Sequence, residues 1–94
     1  MNVKDYPYEK TVLLNAAYDV LERMAIPLRY TDSRAGLLRF GTEGEIALTA
    51  ILRDGSEITR VEIVSAEPAL SDALLDELHA TLEQNFASKG RNEP

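Results

Sequence analysis

The sequence has no cysteine. That excludes a disulfide framework, a thiolate nucleophile and any cysteine-bound metal, and it fits a reducing compartment. No apolar run approaches the ~20 residues that span a bilayer. The opening stretch MNVKDYPYEK lacks the apolar core of a secretory leader. A cytoplasmic location without membrane contact is therefore expected. The five glycines fall singly, so there is no glycine-rich loop to cradle a phosphate.

Histidine is rarer still. His79 is the only one, with Asp76 and Glu83 on the same face of an expected helix. A metal on that face would need a further ligand from a second element. The expectation is a solvated helix face, with no metal and no cofactor. No serine is locally paired with His79, so no nucleophilic constellation is legible. Sixteen Asp and Glu residues make chance proximity of two carboxylates common. Acid–base work needs such a pair desolvated, and only Glu57, at a hairpin tip, is expected on the inward side of the sheet. No catalytic residue is assigned, and the reading leans away from an enzyme. Positive charge is also in short supply, with ten Lys and Arg and a net charge of -6. Nucleic acid, which needs a basic footprint, is not an expected partner.

What is present is a hairpin. Residues 41–65 read as two strands joined at Asp54-Gly55, a pair suited to a tight turn that needs φ > 0 at both central positions. The two-residue loop sets Arg53 opposite Ser56 and, counting back, Ile51 opposite Ile58, Leu48 opposite Val61 and Ile46 opposite Ile63. Opposed residues share a face. Ile46, Leu48, Ala50, Leu52, Val61 and Ile63 then line one side. Ala47, Thr49, Ile51, Arg53, Ile58, Arg60, Glu62 and Val64 line the other.

The rest of the chain is arranged around this hairpin. Residues 1–6 are expected to be a flexible lead-in. A first helix begins near Pro7, with Asp5 as its cap, and turns Leu13, Ala16, Ala17, Val20, Leu21 and Met24 inward until Pro27 stops it. The paired tyrosines Tyr6 and Tyr8 clip its mouth. Short strands follow at 28–32 and 37–41, and a three-residue loop, Thr42-Glu43-Gly44, pairs Phe40 with Ile46 and Leu38 with Leu48. Tyr30 then joins the inward face beside Leu38. A second helix, about 69–87, carries the stripe Leu74, Leu75, Leu78, Leu82 and Phe86, and residues 88–94 are expected to be a disordered tail.

With 94 residues, 45% hydrophobic and 28% charged, the composition is that of a single globular domain. It is expected to be an α+β two-layer sandwich of order αββββα, spanning residues 7–87. Its two helices cover one face of an antiparallel four-stranded meander. The uncovered face would present Leu37, Ile51 and Ile58 ringed by Arg39, Arg53 and Arg60, a composition typical of protein interfaces. The expected function is a small acidic, non-enzymatic interaction module that forms a homodimer through this face or an edge strand, or binds a protein partner. The alternative is a small-molecule-binding or enzymatic domain, with a pocket for a hydrophobic ligand between helices and sheet. No motif ties the sequence to a family.

Overall fold

The computed structural model describes residues 2–41 and 43–91. The elements are β1 (Asn2–Tyr6), α1 (Lys10–Arg23), β2 (Leu28–Asp32), β3 (Leu37–Phe40), β4 (Gly44–Arg53), β5 (Ser56–Val64) and α2 (Pro68–Arg91). The class is α+β. All strand pairs are antiparallel, in the order β1-β5-β4-β3-β2.

The central hairpin has the expected register throughout, from Arg53↔Ser56 to Ile46↔Ile63. Asp54 and Gly55 have φ of 55° and 79°, the left-handed values that a two-residue primed turn requires. The sheet has five strands, however, and not four. Asn2–Tyr6 pairs with β5 from Asn2↔Ile63 to Tyr6↔Thr59 and forms one edge. Holding these residues in the sheet delays α1, which starts at Lys10 with Glu9 as its N-cap. Asp5 is not a helix cap; it faces Arg60 across the strand pair.

The other boundaries have equally local causes. α1 stops at Arg23, before Pro27 can act, in a Schellman arrangement. The Ile26 N–H donates to the Leu21 carbonyl at 2.9 Å and the Ala25 N–H to the Glu22 carbonyl at 3.1 Å. Ala25 takes the left-handed position, φ 57°, usually given to glycine. The β3–β4 hairpin is displaced by two residues from the expected pairing, with Phe40 opposite Gly44 and Leu38 opposite Ile46. Gly41, not Gly44, supplies the positive φ. Gly44 is needed for space, because a Cβ there would collide with the Phe40 ring. An even displacement keeps every residue on its face. β2 differs in a way that does matter: a bulge between Leu28 and Tyr30 sets Tyr30 opposite Arg39. Tyr30 therefore lies on the outward face, not beside Leu38. α2 extends to Arg91 and takes in part of the expected tail; residues 92–94, and the side chain of Phe86, lie outside the described part.

The core follows from these alternations. Tyr6, Leu38, Phe40, Ile46, Leu48, Val61 and Ile63 from one face of the sheet are buried against Leu13, Ala16, Ala17, Val20 and Leu21 of α1 and Leu74, Leu78 and Leu82 of α2. Each fully buried aliphatic contributes about 1.5–3 kcal/mol of transfer free energy. Arg23 links the helices: it pairs with Asp19 and Glu77 at 3.4 and 3.2 Å and donates to the hydroxyl of Thr81.

Candidate interaction surface

The face of the sheet turned away from the helices is built in rows. Strand pairing places Tyr30, Arg39, Glu45 and Val64 in one row and Asp32, Leu37, Ala47, Glu62 and Val3 in the next. Thr49, Arg60 and Asp5 form a third row, and Ile51 and Ile58 a fourth. All six residues expected at an interface lie on this face. Leu37, Ile51, Ile58 and Arg60 are half-buried by their neighbours, and Arg39 and Arg53 are exposed.

The arginines are held by the chain's own carboxylates. Arg60 Nε and Nη2 donate to the two oxygens of Asp5 at 2.8 and 3.2 Å, a bidentate fork. Arg53 Nη2 lies 3.6 Å from the same carboxylate. The hydrogen bond from Arg60 is the chief reason the Asp5 carboxyl sits below its ordinary pKa; the charges of Arg60 and Arg53 add to it against the effect of burial. The same hydrogen bond raises the Arg60 guanidinium. Arg39 Nε is 3.5 Å from Glu45, and its guanidinium lies 5.4 Å from the Tyr30 ring centroid.

Asp5 and Tyr30 are thus members of this surface that sequence reasoning missed. Tyr30 was masked by the bulge. Asp5 was masked because β1 has no apolar alternation to announce it. Its inward residues are Asn2, Lys4 and Tyr6, and only the last is a core residue.

Three further concave regions are lined by described residues. The void between helices and sheet, lined by Ala17, Val20, Ile46, Ile63, Leu74 and Leu78, is about 10 Å³. At one end of the domain, Ile26, Phe40 and Leu70 line an open cleft of about 290 Å³. A third hollow, of about 250 Å³, lies between β1 and α2 beside His79. His79 Nε2 is 3.4 Å from Glu83 Oε2, and its ring centroid is 6.1 Å from that of Tyr6. Tyr6 is only 4% exposed, and its hydroxyl has no partner among the described residues. Burial, then the charge of Asp76, raises its pKa. Among the described residues, no group of three His, Asp or Glu is placed to hold a metal, and no helix is long and apolar enough to cross a membrane.

Compared with known protein families and with curated proteins, the sequence matches none of them.

Proposed function

We propose that the chain is a non-enzymatic interaction module, cytoplasmic in keeping with its cysteine-free composition, whose contact surface is the uncovered face of the sheet. A second copy of the chain is its occupant. The observation that carries this reading is the charge balance of the face. It holds Arg39, Arg53 and Arg60 against Asp5, Asp32, Glu45 and Glu62, on a chain with ten cationic and sixteen acidic residues. The remaining residues of the chain comprise seven cationic and twelve acidic side chains. On this face the charges are nearly cancelled, and Leu37, Ile51, Ile58 and Val64 supply apolar area between the ion pairs. The 10 Å³ void under the middle of the helices supports this reading over a ligand enclosed there. A bound water needs about that much room and a drug-sized ligand at least ~300 Å³. The larger cleft beside Phe40 and Leu70 is open and lies at one end of the domain.

The test is light scattering over a concentration series. The parent should associate. Ile58→Lys, which sets like charges near a two-fold axis, should weaken that association at least ~10-fold, a loss of about 1.4 kcal/mol. Circular dichroism should be unchanged, because Ile58 is outside the core. A parent that stays monomeric to about millimolar, where contacts weaker than ~4 kcal/mol begin to escape detection, would refute the reading.

A further inference from the structure

The three free edges of the sheet are not alike. β1 presents an inward-pointing lysine, Lys4, and is followed at once by Pro7. β2 carries the bulge between Leu28 and Tyr30. Both devices are known to discourage strand addition. The third edge belongs to β4. β3 pairs with β4 only as far as Leu37↔Ala47, and one further bond follows, from the Leu48 N–H to the Gly36 carbonyl at 2.7 Å. From Thr49 to Arg53, nothing among the described residues pairs with that side of β4. This stretch has no proline, no bulge and no charge before Arg53. It does carry Leu52, which at 78% is the most exposed large hydrophobic side chain among the described residues.

The direction of its free groups is fixed by the hairpin. In an antiparallel ladder, successive residues point their N–H and C=O alternately to one neighbour and the other. Leu48 points toward β3, as its bond to Gly36 shows. Ala50 and Leu52 therefore point the same way, onto an edge where nothing answers them. Arg53, Ile51 and Thr49 point to β5.

We propose that β4 pairs antiparallel with β4 of a second copy about a two-fold axis through Ile51. Only this register satisfies all the free groups. Ala50 faces the partner's Leu52, and Leu52 the partner's Ala50, each exchanging both backbone bonds. A two-fold through Ala50 would need Leu48, which Gly36 already holds. A two-fold through Leu52 would set Ala50 against the turn residue Asp54. The side chains agree with the backbone. The exposed Leu52 covers the small Ala50 of the other copy, Ile51 meets Ile51, and Arg53 stands opposite Thr49, so no like charges are directly opposed. The hairpin tip with Asp54 is carried toward the partner's 32–36 turn. There Arg34 and Asp32 balance each other, and Lys10, whose Nζ donates to the Arg34 carbonyl at 2.9 Å, adds a positive charge.

This inference rests on the reading that the chain self-associates, and it adds a contact separate from the uncovered face. The edge axis runs perpendicular to the sheet, so the two contacts are compatible and can be tested separately. In the edge pair, residue 51 meets its symmetry mate at a non-hydrogen-bonded site, with Cα atoms about 4.5 Å apart. That lies within disulfide reach. Stacked sheets would hold the same residues about 10 Å apart, beyond it. The chain has no other cysteine. Ile51→Cys should therefore form a disulfide-linked dimer under mild oxidation, and Ile58→Cys, one strand further in, should not. Adding Leu52→Pro to Ile51→Cys removes an outward N–H without touching the β4–β5 ladder, and should abolish the link. If that double variant does not fold, amide exchange on the parent decides: Leu52 should gain protection at high concentration. Equal linking by both cysteine variants, linking that survives Leu52→Pro, or a Leu52 amide that exchanges equally fast at all concentrations would overturn the edge pairing. Association that is lost in Ile58→Lys but intact in Leu52→Pro would leave the face reading standing and the edge pairing refuted. A strictly monomeric parent would refute both.

Discussion

The carboxylate of Asp5 holds two guanidinium groups, and its consequence for stability has a definite sign. Its folded pKa lies below the ordinary value of 3.8. Such a group stabilises the fold at pH above that value, and the contribution is lost as pH falls through the depressed folded value. Acid titration of the melting temperature should therefore show a fall that begins below about pH 4. In Asp5→Asn the curve should be flatter in that range, and stability near neutral pH should be slightly lower. An identical acid slope in parent and variant would show that Asp5 does not hold Arg60. Little of this was legible beforehand. In the sequence Asp5 resembles a helix cap, since it precedes Pro7. It is a sheet residue because its neighbours pair with a strand far along the chain, and no local pattern records that. The arginines of the same face were readable, because an Asp-Gly turn fixes parity along both strands of the hairpin.

Among the elements, the ones read most accurately have a single strong cause. The β4–β5 register follows from two positive-φ positions, and the buried face of α2 follows from leucines at helical spacing. The β3–β4 hairpin has competing causes, since both Gly41 and Gly44 could supply the turn. The packing of Phe40 over Gly44 decided between them, and this is a tertiary fact. The bulge in β2 belongs to the same category. α2 is held by Leu74, Leu78 and Leu82, each 1–2% exposed. Leu78→Ala should cost about 2–5 kcal/mol, as truncation of a buried leucine does. It should also lower the chemical denaturation midpoint without a matching change in slope. An unchanged midpoint would place Leu78 outside the core.

At the scale of the whole molecule, β1 closes one side of the sheet and puts Tyr6 into the core. Removing residues 2–6 would uncover the β5 edge and empty the Tyr6 site. A loss of at least about 3 kcal/mol is expected, the cost of deleting a buried aromatic. Thermal melts of the shortened chain would measure it. A shortened chain as stable as the parent would show that β1 is dispensable. The position of this strand also has a consequence in time. β1 is synthesised before β5, yet its residue Asn2 pairs with Ile63, far along the sequence. Pairings so distant in sequence form slowly, because a long loop must close before any contact offsets its entropy. On a ribosome, the β2–β5 meander can assemble from adjacent hairpins as it emerges. β1, made before them, has no β5 to pair with until that strand too has emerged.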